Sequence, residues 1–427
     1  MSAVDTVVVG AGHAGLAVSR LLSAAGHDHV VLDRGRVGER WRTERWDSLH
    51  LLTPSWMSRL PGWWYGGAQP DGFMSAGRFV HHLTRYAASF GAPVLPGTAV
   101  LDVSRSDDGY RVVTTRGTWH ARHVVVATGP HGQPHVPAGL ERVGEAAVLH
   151  SSGYRNPTRL APGGVLVVGA SASGVQIADE LARAGREVVL AVGSHSRMPR
   201  RYRGMDVFWW MEGTGRLART IDEMPDPDAA RRESSLQLVG RNQPGEQGRD
   251  LDLAALQARG VRLVGRVTGV SGSTVHLGGD LAGTMAAADR KMHRFLDTVD
   301  DYARRSGLAD EVLPAVRPRP VAVPAVPSRI DVRAEGIGTV LLATGFRPDH
   351  PWLRLPVLAP DGNIRQRQGV TPVPGLYVVG QRFQHRRDSG LIDGARHDAR
   401  TVVAHLLAAS GQAPAGRRDE TDEESAA

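Results

Sequence analysis

Thr6-Val7-Val8-Val9-Gly10-Ala11-Gly12-His13-Ala14-Gly15 and Val165-Leu166-Val167-Val168-Gly169-Ala170-Ser171-Ala172-Ser173-Gly174 decide the fold. Each is an apolar, β-branched run that breaks into glycine and small residues and then resumes as a helix-forming segment. A buried parallel strand that turns straight into a helix needs this pattern. The first glycine permits the turn, the second lets backbone approach a pyrophosphate, and the third lets helix and strand pack closely. Amide groups and the dipole at the helix start then hold phosphate. In the second copy Ser171 stands at the middle glycine position, which leaves a tighter approach. One such motif is a weak signal. Two in one chain predict two dinucleotides held by one protein, FAD and a nicotinamide cofactor, and therefore electron transfer.

The stretches after the two turns differ. Val30-Val31-Leu32 ends in Asp33, eighteen residues beyond Gly15, where a carboxylate accepts from ribose hydroxyls. This completes a βαβ unit for FAD, with a helix expected over Leu16–Ala25. The second strand, Val188–Val192, is not closed by an acid. Gly193-Ser194-His195-Ser196-Arg197 follows, with Arg200, Arg201 and Arg203 nearby. An acid there would repel a 2′-phosphate and an arginine can pair with it, so NADPH is expected over NADH with Arg197 as its partner.

Composition narrows the function classes. The chain has 427 residues, 41% hydrophobic and 22% charged, and a net charge of +7 carried almost wholly by arginine, with Lys291 as the single lysine. There is no cysteine, which excludes dithiol redox chemistry, a Cys-ligated metal and a disulfide framework. No convincing metal site is present in the pattern. The arginines are spread along the chain, so no nucleic-acid partner is expected. No apolar run approaches the roughly 20 residues of a membrane span. No leader is evident, and the cytoplasm is the expected location.

His123–Gly129 and Thr339–Gly345 each read as a buried strand ending in Ala-Thr-Gly. They mark the passages between an FAD domain, 1–155 plus 320–410, and an NADPH domain, 156–319, inserted into it. The predicted class is α/β with two Rossmann-like, three-layer ββα dinucleotide-binding domains. Tyr110–Thr115 and Trp119–Val126 predict a small antiparallel sheet. Ala286–Ser306 predicts an amphipathic helix, Pro314–Pro327 an extended linker, and 411–427 a disordered tail. Leu376–Val379 is expected as a strand, followed after Asp388–Ile392 by a helix running to about Leu407 and aimed at the flavin.

These motifs, with Gly38–Leu49, resemble the class B flavoprotein monooxygenases, a group that includes the flavin-containing, N-hydroxylating and Baeyer–Villiger enzymes. The likeness lies with the short bacterial members and spans roughly residues 5 to 400. The family's linker fingerprint is half present: His150, Tyr154 and Arg155 match, but Gly144 and Ala146 replace its Phe and Gly, and Tyr154 replaces the Baeyer–Villiger Trp. The resemblance implies reduction of FAD by NADPH, formation of a C4a-(hydro)peroxyflavin with O₂, and oxygen insertion into a small organic substrate, at nitrogen or sulfur rather than by Baeyer–Villiger insertion. A flavin reductase or oxidase without oxygen insertion is the alternative, and a non-catalytic redox sensor a third reading. A homodimer is one assembly open to the chain.

Five of the nine tryptophans fall between residues 41 and 64, and Trp41 and Trp46 are the expected flavin contacts. Thr53 is expected at a flavin ring nitrogen, Gln381 after Gly380 on the ribityl chain, and Arg382 toward the active site. Arg382, Thr53 and His150 are the candidate catalytic residues, with His150 also readable as a hinge. Ala14, Arg34, Arg40, Ala127, Thr128, Gly129, Ser173, Thr344, Gly345 and Leu391 complete the expected cofactor-binding set. Phe208-Trp209-Trp210 is expected to line the substrate channel or fill core.

Overall fold

The structure, a computed structural model, describes residues 2–238, 240, 250–323 and 325–412. In chain order its main elements are β1 (Ser2–Val9), α1 (His13–Ala24), β2 (His29–Leu32), α2 (Ala76–Ser89), β3 (Val94–Leu95), β4 (Val100–Ser106), β5 (Gly109–Thr114), β6 (Gly117–Val126), β7 (Ala147–His150), β8 (Gly164–Val168), α3 (Ala172–Arg183), β9 (Val188–Ala191), β10 (Arg262–Val264), α4 (Leu281–Arg305), β11 (Ile337–Leu342), β12 (Leu376–Val378) and α5 (Ala395–Ala409).

Two sheets carry them. The first runs β3-β2-β1-β6-β5-β4. β3, β2, β1 and β6 are parallel. β6 is long enough to serve two partners on one edge: its first half pairs antiparallel with β5, and Val124–Val126 pair parallel with β12. The second sheet runs β10-β9-β8-β11-β7 and is parallel throughout. Strands buried on both faces need continuous apolar runs, and Val7–Val9 and Val165–Val168 supply them.

Helices α1 and α5 cover the first sheet through Leu16, Leu22, Ala399, Val402 and Leu406. On the second, α3 packs through Val175, Ile177 and Leu181. A small antiparallel sheet of Val267–Ser271, Thr274–Leu277 and Arg329–Asp331 packs on the opposite face through Val275 and Ile330. The amphipathic helix predicted at 286–306 is the longer α4, whose Met292, Phe295, Leu296 and Val299 meet Phe208, Trp210 and Met211.

The second sheet is wider than the inserted stretch 156–319 read from sequence. Its strands β7 and β11, at 147–150 and 337–342, fall in the two parts assigned to the FAD domain. The strand of the second expected passage, Thr339–Gly345, pairs parallel with both β8 and β7 and so lies inside the second sheet. The predicted linker has no helix or strand among its described residues. Of the expected tail, 413–427 lies outside the described residues; Gln412 is bound to His27 Nδ1 at 2.8 Å.

Candidate functional site

The two glycine turns are built alike. Gly10 N–H donates to Leu32 O at 2.8 Å and Ala127 N–H to Val9 O at 2.8 Å; the counterparts are Gly169 to Ala191 at 3.0 Å and Ala343 to Val168 at 2.9 Å. Gly10 and Gly169 have φ of +114° and +105°, where side chains are strained. A Cβ on Gly15 would stand 1.9 Å from Gly10 O, and one on Gly174 would stand 1.8 Å from Gly169 O. These backbone collisions explain the third glycine of each motif. The middle position is different: a Cβ on Gly12 meets nothing within 4 Å, so the space in front of α1 is open, and Ser171 fits the equivalent place.

Both helix starts suit an anion. Gly12 and Ser171 cap α1 and α3 without a side-chain hydrogen bond, and neither first turn holds an acid. Around the first turn, the buried polar atoms His13 Nε2, Arg40 Nη1 and Thr128 Oγ1 have no partner. Such orphans are costly unless a ligand satisfies them. Burial holds the His13 ring neutral, lowered to about 4. Desolvation, then the guanidiniums of Arg45, Arg40 and Arg382, holds His131 below its usual range. The mouth of this turn is therefore a cationic, donor-rich cradle, and its residues fit a dinucleotide. At the second turn, Gln237 Nε2 donates to Ala170 O at 2.6 Å while its buried Oε1 lacks a partner.

The other expected cofactor-binding residues are placed as follows. Asp33 follows β2 and accepts from Ala11 N–H and Gly35 N–H, both at 2.7 Å, which ties the carboxylate to the glycine turn. Ala14 is buried at the start of α1 and would lie 3.0 Å from a Cβ on Gly380, so the β12 turn abuts the first motif. Gly129 and Gly345 both have positive φ, +73° and +83°. Ser173 sits half-buried in the first turn of α3. Gln381 N–H donates to Gln384 Oε1 at 3.3 Å, Arg382 is exposed, and Leu391 packs half-buried against the α4 cluster. Thr53 is buried beside Leu52, whose carbonyl accepts from Arg200 Nη1 at 2.7 Å.

Others are corrected. Arg197 is not a free phosphate ligand: it is 5% exposed and bound to Asp252 at 2.8 Å, Asp289 at 2.5 Å and Arg319 O at 2.8 Å. Three acceptors already saturate its fork, so it is a buried structural pair. His150 has protein partners on both ring nitrogens. Its Nδ1 meets Ser152 Oγ and its Nε2 meets Gly345 O, both at 2.9 Å, and Phe346 packs edge-on. The ring pins β7 to the turn after β11, which is the hinge reading. Trp46 is buried in the second core with Tyr154 and Val175 rather than facing a flavin. Trp41 is half-buried, edge-on to Phe79 and capped by Arg45. Arg34 is exposed and pairs with Glu44. Thr344 Oγ1 donates to His135 O and so braces the junction. Phe208 and Trp210 are core, and only Trp209 is half-open. Arg200 is buried against Asp206.

The linker fingerprint acts as a latch. Tyr154 Oη donates to Glu180 Oε2 at 2.9 Å, and Arg155 donates to Ser152 O and Tyr154 O and reaches Thr43 O. Asp47 N–H donates back to Arg155 O at 2.9 Å. The segment 43–47, which follows β2, is thereby fastened to Arg155 at the edge of the second unit.

Asp388, Asp393 and His397 are close enough to share a cation. However, Asp393 is paired with Arg59 at 2.6 Å and Asp388 with Arg386 at 3.1 Å, so arginines already neutralise the carboxylates. No described helix is long and apolar enough to cross a membrane.

The pyridine nucleotide-disulphide oxidoreductase family model matches residues 7–206. The chain is 31% identical over 409 residues, 95% of its length and 98% of the relative's, to an uncharacterized CzcO-like oxidoreductase of Geobacillus kaustophilus. The chain belongs to the CzcO-like oxidoreductase family. Indole-3-pyruvate monooxygenase YUCCA4 of Oryza sativa is 30% identical over 47% of this chain and half of its own. The fold matches a flavin monooxygenase variant from Stenotrophomonas maltophilia with TM-score 0.66 at 22% identity, over 96% of this chain and 99% of that one. The class B flavoprotein monooxygenase resemblance thus holds for this CzcO-like oxidoreductase, with a flavin and a nicotinamide nucleotide as the implied cofactors.

His13, Arg45 and His131 escaped the sequence reading. His13 occupies a variable position inside a motif read for its glycines, and no spacing ties the other two to it.

Proposed function

We propose that this CzcO-like oxidoreductase is an NADPH-dependent FAD monooxygenase that uses O₂ to oxygenate a small organic molecule. Oxygen transfer to nitrogen or sulfur is preferred over Baeyer–Villiger insertion. The observation that carries the reading is the pair of equivalent, uncapped glycine turns, one beside unpartnered buried donors. FAD would be held by Gly10–Gly15, Asp33, Arg40 and Thr128, and NADPH by Gly169–Gly174. Flavin reduced by a nicotinamide nucleotide supplies the electrons and the activation of O₂.

The chain's own residues orient and exclude. The His150–Gly345 and Arg155–Thr43 contacts hold the two turns in register. Trp41 and Phe79 wall the first site from water. NADPH preference is supported by Val192 at the position equivalent to Asp33: its N–H bonds to Val264 O at 3.0 Å as that of Asp33 bonds to Leu95 O at 3.3 Å. No carboxylate stands there to repel a phosphate. With Arg197 committed elsewhere, Arg266 takes the phosphate role; its side chain crosses Gly193, and it is exposed. The FAD unit comprises the first sheet and α5, and the NADPH unit the stretch from β7 to β11. The cytoplasm, which supplies both cofactors, is the proposed location.

The test is to reduce purified protein with NADPH, mix it with aerated buffer, and follow flavin reoxidation and peroxide together. Slow reoxidation that depends on bound NADP⁺, with delayed peroxide release, is expected. Immediate reoxidation with stoichiometric peroxide, with or without NADP⁺, would establish the reductase or oxidase alternative.

A further inference from the structure

A second cationic constellation lies where the loop after Gly380 meets the segment 216–233. Glu233 is the carboxylate whose field reaches both Arg216 and Arg382 among the described residues. Arg387 Nη1 donates to Glu233 Oε2 at 2.6 Å, and Lys291, the chain's single lysine, pairs with Glu233 Oε1. Burial would raise the Glu233 carboxyl, but hydrogen bonds from Lys291 and Arg387 override it and hold it at about 2. Glu233 therefore stays charged, and its charge is already claimed twice.

Two more guanidiniums lie within the field of Glu233. Arg216 lies over the Phe295 ring at 4.8 Å and makes no ion pair among the described residues. Desolvation, then repulsion from Arg387, lowers it to about 10. Arg382 lies within the fields of Glu233 and Arg387 and also makes no ion pair among the described residues. On Arg387 itself, the buried Nε has no hydrogen-bond partner, and Nη2 reaches only Met224 Sδ at 3.8 Å. Three half-buried cations and the exposed Arg382 thus gather at one carboxylate, an excess of positive charge that an arriving anion would offset.

The surroundings describe the rest of the ligand. Phe295, beneath Arg216, and Leu217, beside it, belong to an apolar cluster against which half-buried Trp56, Trp209 and Leu391 also pack. The backbone joins the two sides: Arg387 N–H donates to Arg219 O at 2.9 Å and Asp388 N–H to Leu217 O at 3.2 Å. The same loop begins at Gly380, against Ala14 of the first glycine turn. An anion seated here would lie on the loop that leads from the first glycine turn, with an apolar cluster next to it.

We propose that Arg216, Arg382 and Arg387, backed by Lys291 and Glu233, seat the carboxylate of an amphipathic organic-acid substrate whose apolar body rests on the Phe295–Leu217–Leu391 wall. This deepens the proposed monooxygenase reading by naming its substrate class. A guanidinium fork matches a carboxylate in two parallel hydrogen bonds, and apolar burial supplies the remaining affinity.

The test needs no turnover. Calorimetric titration of the flavin-loaded protein with phenylacetate and octanoate, and with their neutral amides, measures the seat directly. At least one acid should bind about tenfold or more tightly than its amide, a difference of about 1.4 kcal/mol. Arg216→Leu should abolish that preference, Arg216→Lys should restore part of it, and NADPH affinity should not move in either. Arg216 is the position of choice because no ion pair is broken. Equal binding of acid and amide, or binding of neither acid, would overturn the seat. So would an Arg216→Leu loss confined to NADPH, which would give the cations to a nucleotide phosphate. Because binding is read without oxygen, failure here is separate from failure of the oxygen-transfer test.

Discussion

The two glycine turns share a backbone and differ in what ties them. The first is closed by its own strand: Asp33, one residue past β2, grips Ala11 N–H. At the second, Val192 occupies the equivalent place, and the tie to Ala170 comes from Gln237, a distant residue. Backbone equivalence follows from local sterics, since each turn admits only glycine at the colliding positions. The difference teaches that ligand discrimination resides not in the turn but in the side chain that ends the next strand.

The largest effect concerns the residue that imitates a ligand at the second turn. Arg197→Leu should destabilise the protein by about 3–5 kcal/mol by leaving Asp252 and Asp289 uncompensated. Denaturant unfolding measures this. The NADPH-to-NADH preference should be unchanged, and a changed preference would restore Arg197 as a nucleotide contact.

Next, alanine at each third glycine separates the two sites. Gly15→Ala and Gly174→Ala each push a methyl into backbone oxygen, a strain of about 1–3 kcal/mol. The first should release flavin from the purified protein. The second should keep flavin and raise the KM for NADPH at least severalfold. If both variants lost flavin, the sites would not be independent.

Asp398 sharpens the comparison at α5, the helix packed on the first turn's helix. Burial outweighs a hydrogen bond from Ser389 and, with Asp388 adding repulsion, pushes its carboxyl up from 3.8 to about 7. The folded state then holds a proton that the unfolded state has lost. Stability attributable to this group is full below about pH 4 and falls as pH rises through 7. Asp398→Asn should flatten that part of the unfolding profile and be more stable than the parent at pH 8. Parallel profiles would refute the assignment.

The smallest effect tests the strand-end rule itself. Arg266→Ala should lower the preference for NADPH over NADH by about tenfold with NADH kinetics intact, as loss of one charge-assisted bond predicts. An unchanged ratio would leave the phosphate without its proposed partner.

Much of this was legible because the signals are local. Both βα turns, the Asp33 position, the Ala127 and Ala343 turns and the amphipathic α4 all appear as short patterns with a steric or periodic cause. The misreadings have a common cause as well. Arg197 sits where a phosphate ligand belongs in sequence, but Asp252 and Asp289 reach it from distant segments. Trp46 has the composition of a flavin wall and the burial of a core residue. The strand at 339–342 reads as a passage because its pairing with β7 and β8, across long separations, leaves no mark in the segment itself.

The amino-acid sequence by itself determined two parallel strand–turn–helix units, the absence of thiol chemistry, and an acid at one strand end but not at the other. These follow from backbone sterics and residue identity within a few positions. Tertiary structure alone decided which arginines are free. Long-range packing brings carboxylates into contact with Arg197 and Arg200 and leaves Arg216 and Arg382 near Glu233 but without an ion pair among the described residues. Charge pairing depends on distance in space, and a sequence records only distance along the chain.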